Sequence, residues 1–131
     1  MSIFEVNLFT LALTSVCSYM AGALWYSPVL FADAWVKGIG KTHDDLGNPG
    51  PAMAVQAIAT VSLAWWMGML MNMRLADLLP EGLMALSIVG LLSLSAAARL
   101  FQGNQWSAVA IDTGYVAVML LVPAVGFYLF P

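Results

Sequence analysis

Asp112 stands in an apolar run and is followed by Thr113, Gly114 and Tyr115, with no further charge up to residue 131. At helical spacing Asp112 and Tyr115 share a face. An acid inside a lipid-facing segment is costly, so it is a candidate functional group by default. Arg99 ends the preceding apolar run. If the two runs form a hairpin, Arg99 and Asp112 differ little in depth and can pair. The pair would offset most of the cost of either charge and lock the hairpin, with Tyr115 hydrogen-bonded to one partner. The other reading of Asp112 is a proton or cation site.

A second pattern is a stripe of small and polar residues at four-residue steps: Thr10, Thr14, Ser18 and Gly22, then Ala52, Gln56, Thr60, Ala64, Gly68 and Asn72. Small residues at this spacing let helix backbones approach closely in lipid, with crossing angles near ~−40 to −50°. The stripe is either a helix-packing seam whose hydroxyls bond their own backbone or a polar pathway lined by Thr10, Thr14, Ser18, Gln56 and Thr60. Met67, Met69, Met71 and Met73 alternate. Four alternating residues cannot share one helix face, so they read as flexible core filler rather than a thioether copper site. Trp65 and Trp66 fall mid-run rather than at an interface, about 100° apart on a helix. One is expected to face lipid and the other a neighbour or a hydrophobic ligand. Thr42-His43-Asp44-Asp45 has metal-ligand residue types without a second cluster and reads as a capped surface turn. No metal or cofactor site, phosphate loop, nucleophile elbow or facing carboxylate pair is found, and no enzyme is expected.

The elements that position these groups follow from composition. Of the 131 residues 62% are apolar and 8% charged, against roughly 25% charged in a soluble domain, and mean hydropathy is +0.89. Residues 6–32, 46–73, 82–98 and 113–131 carry no charge. A soluble fold of this length cannot hide so much apolar surface, which excludes a water-soluble enzyme. The net charge of −3 argues against a nucleic-acid partner, which needs a basic footprint. The single cysteine, Cys17, precludes an internal disulfide framework.

The expected fold is an all-α membrane protein: one domain, residues 1–131, with four transmembrane helices in an antiparallel bundle, near 5–26, 52–73, 82–101 and 107–129. Each holds about 20 residues, enough to cross ~30 Å of hydrocarbon. The long runs do not alternate as barrel strands would. The first span lacks a preceding Lys or Arg and exceeds a signal-peptide core, so it is expected to be retained. In the long first loop, Ser27-Pro28 reads as N-cap and first helical residue. A short amphipathic interfacial helix then spans 28–39, with Asp33, Lys37 and Lys41 on one face and Trp35 on the apolar side. Residues 47–51 form a turn cluster. Lys37, Lys41 and Arg99 lie on one side, against Arg74 and the N-terminal amine on the other. That count places loops one and three in the cytoplasm.

Gly22-Ala23-Leu24-Trp25-Tyr26-Ser27-Pro28, continued by Val29-Leu30-Phe31 to Trp35, resembles the motif of domain-of-unknown-function family 1761, small bacterial membrane proteins of four spans. Residues 111–115 are similar to a family segment that usually reads Asn where this chain has Asp112. The resemblance covers nearly the whole chain. It implies the four-span architecture and no established activity. From the residues themselves, Gly22 permits close packing, Trp25 and Tyr26 form an interfacial belt, and Ser27-Pro28 redirect the chain.

The first functional expectation is a structural or interaction protein of the bacterial inner membrane, in contact with membrane lipids. It would form a homo-oligomer or serve as accessory subunit of a larger membrane complex. The alternative is a small oligomeric transporter or channel using Asp112 and the hydroxyl seam. Small multidrug transporters share the size but need an acid deep in the first helix, where this chain has only Glu5 at the edge. A weaker alternative is lipid or hydrophobic-cofactor binding at Trp65-Trp66.

Overall fold

The computed structural model describes residues 5–131, and among them there is no strand. The order is α1 (Leu8–Trp25), α2 (Ala32–Gly38), a 3-10 turn (His43–Asp45), α3 (Gly50–Leu75), α4 (Glu81–Phe101) and α5 (Trp106–Leu129). The four long helices are long and apolar enough to cross a membrane, with mean hydropathy from 1.5 to 1.9. The 18 residues of α1 rise about 27 Å at ~1.5 Å each, close to a hydrocarbon thickness of ~30 Å.

Local chemistry moves three boundaries from their expected places. Span one begins at Leu8 rather than residue 5, because Asn7 Oδ1 accepts the N–H groups of Phe9 (3.0 Å) and Thr10 (3.3 Å). A capping amide satisfies donors that the first turn leaves orphaned. Span two begins at Gly50, since Pro51 fits the first turn, where no N–H is needed. The turn cluster therefore ends before it.

The short helix starts at Ala32, not residue 28, and Ser27-Pro28 does not cap it. Ser27 Oγ instead donates to the Leu24 carbonyl at 2.7 Å, closing α1. The N–H groups of Leu30 and Ala32 both reach the Ser27 carbonyl, folding 27–31 into turns. Gly40 follows α2 at φ +76° and Gly103 follows α4 at φ +80°, the left-handed conformation glycine adopts without steric cost.

α5 is the central element, packing against α1, α2, α3 and α4. The core joins Val6, Leu11, Ala64, Met67, Met71, Leu120 and Phe127, so two of the alternating methionines are core filler. α1 and α5 meet in opposite senses: Thr10 Oγ1 donates to the Phe130 carbonyl at 2.7 Å, while Trp25 Nε1 donates to that of Ile111 at 2.9 Å. α1 and α3 also oppose, with Tyr19 OH donating to the Met53 carbonyl at one end and Asn72 Nδ2 to that of Glu5 at the other.

The seams close on α5 as well as on each other. Gly22 receives the Tyr115 ring, and a Cβ on Gly68 would stand 2.7 Å from Phe127 Cζ. In return Gly126 receives the methyl of Thr14. α4 differs. No residue of it whose exposure is described is buried, and its half-buried Met84, Ile88 and Leu91 lean on the core from outside.

Candidate functional site

The polar groups gather at the end of the bundle where α1 gives way to α2 and α4 turns into α5. Asp112 sits two turns into α5, its side chain 8% exposed. Its Oδ1 accepts from Tyr26 OH at 2.6 Å, and its Oδ2 accepts from Arg99 Nε at 3.2 Å. The expected Arg99–Asp112 pair is thus present, joining the last turn of α4 to α5. Arg99 is 38% exposed, so its guanidinium reaches past the bundle as cations near helix ends do.

The second partner of Asp112 differs from expectation. Tyr115 bonds neither Asp112 nor Arg99; the hydroxyl at the carboxylate is that of Tyr26. Tyr115 instead lies against Gly22, one turn deeper, and its hydroxyl donates to the Ser18 carbonyl at 3.2 Å. Without a side chain at 22 the ring slides past α1 toward α3.

Aromatic rings frame this node. Tyr26 stands edge-on to Trp35 at 5.5 Å and to Tyr115 at 5.6 Å between centroids. Trp25 packs on Phe31 at 4.8 Å and donates to the Ile111 carbonyl. α2 lies on α5: a Cβ on Gly38 would stand 2.7 Å from that of Ala108, and the Gly38 carbonyl accepts from Gln105 N–H at 2.9 Å. Deeper in, Gln56 Nε2 donates to Met119 Sδ at 3.2 Å and to Tyr115 OH at 3.5 Å.

The GALWYSP segment, Trp35 and Asp112 therefore form one structure rather than two separate motifs. The family model for proteins of unknown function, DUF1761, matches residues 9–127. The chain belongs to the DUF1761 family. No curated protein and no solved structure matches it.

In this DUF1761 member the hydroxyl stripe behaves largely as a packing seam. Thr10, Thr14, Ser18, Thr60, Ala64 and Gly68 are all buried. Thr14 Oγ1 donates to the Thr10 carbonyl at 2.8 Å and Thr60 Oγ1 to that of Gln56 at 2.7 Å. Such back-bonding is the ordinary fate of helix hydroxyls. Thr10 departs from it by reaching Phe130 across the bundle. Ser15 Oγ and Ser18 Oγ are buried without a hydrogen-bond partner.

Trp65 and Trp66 divide as their spacing implies. Trp65 is 42% exposed. Trp66 lines an open apolar cleft of about 350 Å³ with Leu63, Ser87, Gly90, Leu91 and Leu94, between α3 and α4. On loop one, Thr42 and Asp45 form a reciprocal capping box, and the Thr42 N–H holds the Asp45 carboxyl below the usual aspartate value. Asp33 pairs at 2.9 Å with His43 of the 3-10 turn, although Lys37 lies one turn along on the face assigned to both. Sequence reasoning missed Asn7, Ser15 and Gly126. Asn7 carried an N-cap signal, an Asn directly before an apolar run, and Gly126 the weaker signal of a glycine inside a helical run.

Proposed function

We infer that this DUF1761 chain is a structural and interaction protein of the bacterial inner membrane, assembling with itself or with a larger membrane complex through α4. The observation that carries the reading is the position of α4. It is as long and apolar as the other spans, yet it is held to α5 by one face and by the Arg99–Asp112 pair and has no buried residue among those whose exposure is described. Helix association in lipid depends on close packing of small residues, and Gly90 on this helix has no atom within 4 Å of the position a Cβ would take. The excess of Lys37, Lys41 and Arg99 over Arg74 supports a cytoplasmic side for loops one and three.

Transport through Asp112 has less support. The carboxylate is engaged at both oxygens, and the Tyr26–Tyr115 ring pair separates it from the deeper Gln56. Single cysteines at Leu86 or Leu94, both exposed on α4, test the assembly reading in a Cys17→Ser background. The expected result is oxidative cross-linking in native membranes, to a second copy or to another membrane protein. Uncross-linked chains at every α4 position, together with a monomeric mass after mild extraction, would sink it.

A further inference from the structure

Arg99 is engaged through only part of its guanidinium. An arginine facing a carboxylate often docks as a fork, with two parallel N–H···O bonds. Here Tyr26 OH occupies Oδ1 of Asp112 at 2.6 Å, and Arg99 reaches Oδ2 through Nε alone, at 3.2 Å. Its two terminal nitrogens make no hydrogen bond among the described residues, and neither is buried. Asp112 therefore fixes the base of the guanidinium. The outer edge, a planar row of N–H groups, is left accessible and without an acceptor.

Position restricts what that edge meets. Arg99 lies in the last turn of α4, whose 21 residues rise about 31 Å at ~1.5 Å each, close to the hydrocarbon thickness. Phe101 beside it is 93% exposed and Trp106 across the turn 73%, and aromatic rings so placed settle at the membrane–water interface. The guanidinium thus stands at the foot of the headgroup layer, where phosphate is the abundant acceptor. Residues 99–111 contain no carboxylate, and both oxygens of Asp112 are engaged, so this turn offers no counter-ion to a choline group. Lys37 and Lys41, exposed at the same end, are offset by the exposed Asp33, Asp44 and Asp45. Selection therefore falls to the guanidinium edge rather than to a diffuse positive field. We propose that Arg99 binds the phosphate of an anionic phospholipid headgroup through its terminal nitrogens, with Tyr26 and Asp112 as positioning residues.

Native mass spectrometry of the full chain in mild detergent tests this, with phosphatidylglycerol or phosphatidylcholine of identical acyl chains added. Saturable retention of phosphatidylglycerol is expected, about 10-fold over phosphatidylcholine, the worth of one charge-assisted hydrogen bond. Arg99→Lys keeps a cation for Asp112, and with it the fold, but an ammonium has no second edge and the preference is expected to vanish. Tyr26→Phe frees Oδ1, lets the carboxylate take both sides of the fork, and is expected to lower the preference about 3-fold with Arg99 still charged. Lys37→Gln combined with Lys41→Gln retains it. Equal retention of the two lipids, a preference that survives Arg99→Lys, or one that disappears with the two lysines overturns the proposal. Displacement by an equal concentration of glycerol phosphate would assign the site to a soluble phosphate and overturn its lipid source.

Discussion

Asp112 is held at both oxygens, and its two partners separate what an amide can replace from what it cannot. An asparagine keeps an acceptor for Tyr26 OH and loses the charge facing Arg99. Asp112→Asn is therefore expected to lower stability by about 1 kcal/mol, the net worth of a hydrogen bond. Asp112→Leu strands both partners. Breaking a fully buried pair costs about 3–5 kcal/mol, and because Arg99 is 38% exposed the loss here is expected nearer ~2–3 kcal/mol. Denaturant titration in mild detergent measures both. Equal losses for Asn and Leu would mean that the charge facing Arg99, not the Tyr26 hydrogen bond, supplies the stabilisation. At this scale the sequence was half legible. The Arg99–Asp112 pair followed from the hairpin, since both residues lie near the same short turn. Tyr26 did not, because a contact between α1 and α5 has no sequence neighbourhood to betray it, and helical spacing pointed to Tyr115.

Helices pack here by exchanging side chains for glycines. Tyr115 enters α1 at Gly22 and Phe127 enters α3 at Gly68, while Thr14 of α1 enters α5 at Gly126. Adding a methyl at such a point overpacks the interface, which typically costs about 1–3 kcal/mol. Gly126→Ala is expected to fall in that range. In the extracted monomer Gly90→Ala on α4 meets open space and is expected to be neutral or to stabilise by up to ~1 kcal/mol through helix propensity. Thermal unfolding of the two variants side by side gives the comparison, and a destabilised Gly90→Ala would show that α4 is covered at that point. The existence of every long helix was readable from the uncharged runs. Their ends were not, because capping by Asn7 and closure by Ser27 are local hydrogen-bond choices that hydropathy does not register.

Across the whole molecule the bundle is uneven: α1, α3 and α5 share the core, and α4 is applied to it from outside. Segments with few buried contacts open at lower free energy than the core. In mild detergent, amide hydrogens of α4 are expected to exchange before those of α5, and Arg99→Gln is expected to widen the difference because it releases the Arg99–Asp112 latch between α4 and α5. Exchange of α4 as slow as that of α5 would contradict this unevenness. Nothing in the four hydropathy profiles ranks the helices this way, since α4 is no more polar than α1 or α3.

The sequence by itself determined the class of protein, the number of spans, and a seam of small residues. These properties are set by composition and by periodicity along a single helix, where each residue reports on its own neighbours. Tertiary structure alone decided that α5 is the hub, that Tyr26 rather than Tyr115 meets Asp112, and that Thr14 enters α5 at Gly126. Each of these depends on which faces of separate helices meet. In lipid that choice is made by shape and hydrogen bonding between distant segments rather than by hydrophobicity.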